Sequence, residues 1–418
     1  MTAPRHVALF IRSLGGGGGA ERMMVHFAAA IAERGHRVDL VLGRGAGHFL
    51  DAIPRTVRCV DLRGYTPLGV LPAALRDPHT ARRLAPALLS ASPPWVLGRV
   101  PALVRYLRRE RPEAMFSALN YSNLAALWAR RLAGVPLRLV VSERNTLSMQ
   151  AQHDRRRRER ALPALVRHFY PWADAVAAVS AGVADDLAEV AGIPRERIHV
   201  LYNPVVTPEL GVQARAPLAC AWFAPGAPPV VLGVGKLKPQ KDFATLLRAF
   251  ARLRAGRPAR LVILGQGPER RRLLRLAHEL GIARDFALPG FVPNPFAYMA
   301  RAAVFALASA WEGLPGVLIQ AMACGCPVVS TDCPSGPAEI LEGGKHGPLV
   351  PPGDSEALAH ALARVLDAPP DAAALRARAD AFSSDRVTAA ALDLLLGGGS
   401  DGGARAGPSQ ADGARRAG

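Results

Sequence analysis

No stretch of this chain approaches the roughly 20 consecutive apolar residues that a membrane-crossing helix requires. Its opening, MTAPRHVALFIRSLGGGGG, holds an apolar run of five residues, 7–11. A secretory leader needs a longer run and a small-residue cleavage site. No export signal is therefore read, and the expected location is the cytoplasm. Cysteine is scarce too. The five present, Cys59, Cys220, Cys324, Cys326 and Cys333, are odd in number in a long chain, which argues against a disulfide framework. Cys324, Cys326 and Cys333 lack the paired C-x-x-C spacing and the fourth ligand of a zinc site. They read as small apolar residues packed around a strand, and no metal is expected.

Lysine is the rarest charged residue. The 52 basic residues include four lysines: Lys236, Lys238, Lys241 and Lys345. Three of them fall in one short loop, in a chain that otherwise uses arginine. The formal net charge of +18 first suggests nucleic acid. Yet the basic residues are dispersed and no nucleic-acid motif is present, so no specific nucleic-acid partner is expected. The inner membrane surface, with its anionic lipids, better suits a basic protein with apolar faces, and a peripheral contact there is expected.

What is present is an alternation of strand and helix patterns. Residues 6–11 read as a short apolar strand, 15–19 as a glycine run, 21–34 as a helix with apolar Met24, Phe27, Ala28 and Ile31 at helical spacing, and 38–42 as a second strand. Strand, glycine loop, helix, strand is the opening unit of a Rossmann-like domain. Further strand patterns lie at 114–117, 137–142, 175–180 and 198–201. Residues 64–111, rich in Pro, Leu and Arg, fit several helices with basic faces, because a structureless loop of that length is unusual. The run DRRRRER, 154–160, reads as a solvated helix face. Residues 203–229 are proline-rich and weakly patterned, as a linker is. A second unit then starts: strand 230–234, loop 235–241, helix 243–253, and strands at 260–264, 286–288, 304–308 and 327–330. Alternation of this kind implies α/β architecture with parallel sheets covered on both faces. The expectation is two Rossmann-like domains facing a cleft, 1–202 and 230–383, with a helix at 384–396 returning to the first domain. The tail 397–418 has a disorder-like composition.

Two segments can carry chemistry. In GVGKLKPQKDF, Lys236 and Lys241 flank a turn between a strand and a helix, where open parallel sheets bind ligands; two ammonium groups there suit a diphosphate. In SAWEGLPGVLIQAMACGCPVV, Glu312 follows a strand and Pro315 opens a helix of about 316–323. The first N–H groups of that helix favour an anion. Glu312 beside it is an acceptor for sugar hydroxyls, or else merely a helix cap.

The segment 305–340 resembles the signature of retaining glycosyltransferases of family 4, which have the GT-B fold. That family carries a glutamate, seven intervening residues and a second glutamate; here these positions are Glu312 and Gln320. GVGKLKPQKDF is similar to the family's phosphate loop, with Lys236 in place of its arginine and Lys241 matching its lysine. SLGGGGGAER (13–22), Asn203-Pro204, LVILGQGPER (261–270) and GFVPN (290–294) also match, so the likeness spans nearly the whole chain. The resemblance implies that Lys236 and Lys241 hold the donor pyrophosphate and Glu312 the transferred sugar. It implies Gln320 near the ribose, and Phe291 and Val292 near the base. Leu314, Gly316 and Val317 would line the donor, and Gly18 and Gly19 would approach the donor phosphates or the acceptor. It also implies catalysis by positioned cations, with no metal and no cofactor beyond the nucleotide-sugar donor.

Two positions depart from the pattern. Gln320 is neutral, so it accepts one hydrogen bond and donates another where a carboxylate accepts two. Many members place a histidine after the strand matching 140–141, whereas this chain reads Ser142-Glu143-Arg144-Asn145. Arg144 is either a site for an acceptor phosphate or a structural ion-pair member; Asn145 is the second acceptor candidate. The reading is transfer of a hexose or N-acetylhexosamine from a nucleotide-diphosphate sugar, UDP for preference, to a growing lipid-linked glycan of a surface polysaccharide or lipopolysaccharide. The alternatives are a GT-B sugar-nucleotide epimerase, or a sugar-nucleotide-binding protein without turnover.

Overall fold

The computed structural model describes residues 3–15, 19–47, 49–62, 69–153 and 156–397. Gly18, part of the 154–160 charge run and the 398–418 tail lie outside them. In the first half, β1 (His6–Ile11), β2 (Arg37–Leu42), β3 (Val57–Asp61), β4 (Ala114–Ala118), β5 (Arg138–Glu143), β6 (Ala175–Ala178) and β7 (Ile198–Val200) form one sheet. Its order is β3-β2-β1-β4-β5-β6-β7. In the second half, β8 (Val230–Val234), β9 (Arg260–Leu264), β10 (Phe286–Gly290), β11 (Val304–Leu307), β12 (Val328–Thr331) and β13 (Leu349–Val350) are ordered β10-β9-β8-β11-β12-β13. The pairings between these strands are parallel. This is the GT-B arrangement.

The strands are apolar runs rather than alternating ones because helices cover both faces. β1 is buried from Val7 to Ile11, and β4 throughout. Strand order reverses beside β1, between β2 and β4, and beside β8, between β9 and β11. At such a reversal the connecting loops leave in opposite directions and open a crevice at the carboxyl ends of the strands. The lysine loop leaves β8 and the Glu312 segment leaves β11, so the topology alone brings them side by side.

Between 69 and 110 the described chain is helical, with helices Leu71–Arg76, Pro78–Leu88 and Val100–Glu110. The proline-rich connection after β7 differs from expectation. It contains a helix, Pro208–Arg215, which starts on a proline at its first position and packs on the short helix Phe296–Met299. The chain crosses back beside its outward path. The Val205 and Val206 amides donate to the Phe382 carbonyl at 3.0 and 3.1 Å, and the Ser384 amide donates to Val206 O at 2.8 Å. The helix Ser384–Leu396 then lies against helix Gly19–Glu33, β4 and β5. It adds Val387, Ala391 and Leu395 to the first half's core.

Candidate active site

The loop after β8 is fixed before it reaches its lysines. Gly235 N–H donates to Leu264 O and Leu237 N–H to Gln266 O, both at 2.9 Å, which ties the loop to the end of β9. Gly265 makes this possible: its φ is +146°, and a Cβ there would sit 1.8 Å from Gly235 O. A 3-10 turn, Pro239–Lys241, follows. Asp242 then caps helix Phe243–Gly256, accepting from Thr245 N–H at 3.3 Å and from Thr245 Oγ1 at 2.6 Å. The capped turn sends the Lys241 side chain back along Gly235 toward the end of β11.

There Lys241 Nζ pairs with Glu312 Oε1. Ser309 Oγ donates to the same oxygen at 2.6 Å. The two loops are also joined through the backbone. Gln240 Nε2 donates to Trp311 O at 2.9 Å, and Ala310 N–H to Gln240 O at 2.8 Å. Glu312 is buried, its side chain 8% exposed, and that of Lys241 is 17% exposed. A pair this withdrawn from water is strongly dependent on both partners. Ser309 was not singled out by sequence reasoning, although a serine three residues before the glutamate is a visible signal. Helix Gly316–Ala323 begins just beyond, after Pro315. Its opening amides have no acceptor one turn back within the helix, and with the helix dipole they favour an anion. A buried carboxylate, an ammonium and a helix N-terminus thus meet at the strand-order reversal of the second sheet.

The sequence and the fold are similar to those of known proteins. The model for glycosyl transferases group 1 matches residues 221–382, and that for glycosyltransferase family 4 matches residues 17–208. The Campylobacter jejuni N-acetylgalactosamine-N,N'-diacetylbacillosaminyl-diphospho-undecaprenol 4-alpha-N-acetylgalactosaminyltransferase is 34% identical over 291 residues, covering 68% of this chain and 76% of the relative. The chain belongs to glycosyltransferase family 4. The lipopolysaccharide core biosynthesis glycosyltransferase LpsE of Rhizobium meliloti is 29% identical, covering 84% of this chain and 86% of its own. Among solved structures, Anabaena HepE in complex with UDP and glucose superposes with a TM-score of 0.71 at 21% identity, over 94% of this chain and 100% of that one.

In this glycosyltransferase the remaining candidates spread around the cleft. Leu314 is buried beside Glu312, and Val317 and Gln320 lie half-buried along the helix that follows. Phe291 is 66% exposed after β10, an unusual place for a large aromatic ring, with Val292 half-buried next to it. Lys236 is exposed, and it faces the other domain: burial lowers its pKa first, then Lys238; Glu21 opposes this, and Arg12 lowers it further. Gly19 begins helix Gly19–Glu33.

Arg144 is packed inside the first half of the chain. It is buried at 7% exposure, with Nη1 donating to Ser142 Oγ at 2.8 Å and Nη2 to Asn203 Oδ1. Its side-chain hydrogen-bond partners are neutral oxygens, with the Glu143 carboxylate close by. Burial lowers its pKa to about 9, with Glu143 opposing. Glu143 is buried beside it and accepts from Arg144 N–H at 3.1 Å and from Tyr170 O–H at 3.0 Å. Burial pushes its carboxyl up to about 7. Asn145 is exposed. Among the described residues no group of three or more His, Cys, Asp or Glu stands close enough to hold a metal ion. Cys324, Cys326 and Cys333 are buried, and burial raises all three thiols.

Proposed function

We propose that this enzyme transfers a hexose or N-acetylhexosamine from a UDP-sugar, with retained anomeric configuration, to a growing lipid-linked glycan of a surface polysaccharide or lipopolysaccharide. The observation that carries the reading is the Lys241–Glu312–Ser309 cluster at the mouth of helix Gly316–Ala323. Departure of the nucleoside diphosphate builds negative charge, and preorganised cations and dipoles placed where that charge develops lower the barrier. Lys236, Lys241 and the helix amides are those groups, so the reading needs no metal. Lys241 and Ser309 both bond to Glu312 Oε1, which orients Oε2 as an acceptor for a sugar hydroxyl. Gln320 would hold one ribose hydroxyl.

The lipid-linked acceptor is supported by the name of the Campylobacter relative, whose substrate carries diphospho-undecaprenol, and the UDP donor by the HepE complex. Among the described residues no helix is long and apolar enough to cross a membrane. A peripheral contact suits the first domain, where Leu71, Leu75 and Leu89 are 45%, 82% and 86% exposed among exposed Arg76, Arg82 and Arg83. The test is release of nucleotide from a panel of UDP-, GDP- and ADP-sugars. Release from a UDP-hexose or UDP-N-acetylhexosamine is expected; absence of both binding and release across the panel overturns the reading.

A further inference from the structure

The Ser-Glu-Arg-Asn segment, 142–145, ends β5 and runs just past it, and most of its polar atoms are engaged. Arg144 reaches back to Ser142 and across to Asn203. Glu143 holds the Arg144 amide and receives Tyr170 O–H, which itself accepts from Asn123 Nδ2 at 2.8 Å. Just downstream, Asp186 Oδ2 accepts from Leu147 and Ser148 N–H at 2.6 and 3.2 Å. Residues 142–148 are thus clamped at both ends and from beneath. A buried Glu and Arg are costly to keep, and what they secure is the position of Thr146 between the clamps.

Thr146 Oγ1 donates to the backbone carbonyl of Glu312 at 2.8 Å. One residue on, Ser180 Oγ donates to the carbonyl of Gly313, also at 2.8 Å. Two successive carbonyls of the second domain are therefore held by two hydroxyls of the first, each buried. Gly313 lies so near the clamped segment that a Cβ on it would meet Arg144 O at 2.4 Å. With both carbonyls turned toward the first domain, the rotation of the Glu312 peptide is fixed, and with it the direction of the carboxylate.

We propose that Thr146 and Ser180 are positioning residues for Glu312, so that the sugar-binding carboxylate is correctly aimed when the two domains are closed. This rests on the reading that Glu312 holds the transferred sugar. The hydroxyls touch neither donor nor acceptor; they act through the Glu312–Gly313 backbone. Loss of one leaves the nucleotide-binding surface of the second domain intact and misdirects the sugar.

The experiment compares Thr146→Val, Thr146→Ser and Glu312→Ala in the full chain. The readouts are hydrolysis of the UDP-sugar found by the panel above and UDP binding by calorimetry. Thr146→Val is expected to lower kcat about tenfold to a hundredfold, the scale of a small misplacement of a reacting group. UDP affinity should stay within about threefold, and Thr146→Ser should regain most of the lost kcat. Ser180 also caps helix Ala181–Ala191 by accepting from Val183 N–H, so Thr146 gives the cleaner test. If Glu312→Ala is inactive while Thr146→Val turns over like the native enzyme, the positioning role is overturned and the donor-site reading stands. Equal loss in the Val and Ser variants also overturns it, because the hydroxyl is then not what matters. If Glu312→Ala keeps native turnover, the donor-site reading itself fails.

Discussion

Lys241 and Glu312, 71 residues apart in the chain, form an ion pair across the strand-order reversal of the second sheet. Neither can be removed quietly. Lys241→Met leaves a buried carboxylate with Ser309 as its remaining side-chain donor among those described. Breaking such a pair costs about 3 kcal/mol or more, and loss of a preorganised cation costs about 100-fold or more in kcat. The variant should melt earlier and lose donor hydrolysis. Native melting together with native turnover would contradict the assignment.

Gly313→Ala tests closure without removing a polar group. Its Cβ would press on Arg144 O at 2.4 Å and on the neighbouring backbone carbon at 3.1 Å, and backbone on both sides has little room to give. The expected result is a stable protein with lowered kcat and a more extended envelope in small-angle scattering with UDP present. Unchanged scattering and unchanged kcat would show that the domains need not approach this closely.

Glu143 gives the stability a pH dependence. Its carboxyl is raised from 4.5 to about 7, chiefly by burial. Between those values the folded protein keeps a proton that the unfolded chain has released. Stability from this group therefore falls as pH rises through that window and is level above it. Arg144, lowered to about 9, and Tyr170, raised well above its ordinary value, titrate higher, whereas His26, His168 and His199, lowered by burial, and Glu339, raised by burial, titrate in the same range. The Glu143 contribution is therefore read as a difference: the melting temperature of the native protein minus that of Glu143→Gln should fall as pH rises from about 4.5 to about 7. Parallel curves would refute it.

Leu75→Glu with Leu89→Glu should reduce sedimentation with vesicles rich in anionic phospholipid and leave UDP affinity unchanged, since these exposed leucines lie outside the donor site. The native protein should bind those vesicles more weakly as salt rises. Binding that is insensitive to both the substitutions and salt would place the contact elsewhere.

Much of this was legible in the sequence because parallel sheets write themselves as apolar runs. The runs at β1, β8 and β9 and the helix at 316–323 stand as read. β3, Val-Arg-Cys-Val-Asp, did not stand out because it lies at a sheet edge and is largely open to solvent. β13 is two residues long. The lysine loop and Glu312 could be paired in advance because strand–loop–helix units place loops at a crevice. Thr146 and Glu312 could not: they are 166 residues apart on different domains, and no local periodicity encodes a hydroxyl meeting a carbonyl. Arg144 was ambiguous for a similar reason, since its partner Asn203 belongs to the connection beyond β7.

The outward and return crossings between the domains run side by side, with Val205 and Val206 bonded to Phe382 and Ser384 to Val206. Topologically the second domain is an insertion into the first, entered and left through one doorway. The corresponding domain of another family member could therefore be grafted as a single cassette between 206 and 383, with both splice points meeting at one spot. Such a chimera keeps the first sheet and its closing helix Ser384–Leu396 uncut, provided the graft presents backbone carbonyls to Thr146 and Ser180 as residues 312 and 313 do here.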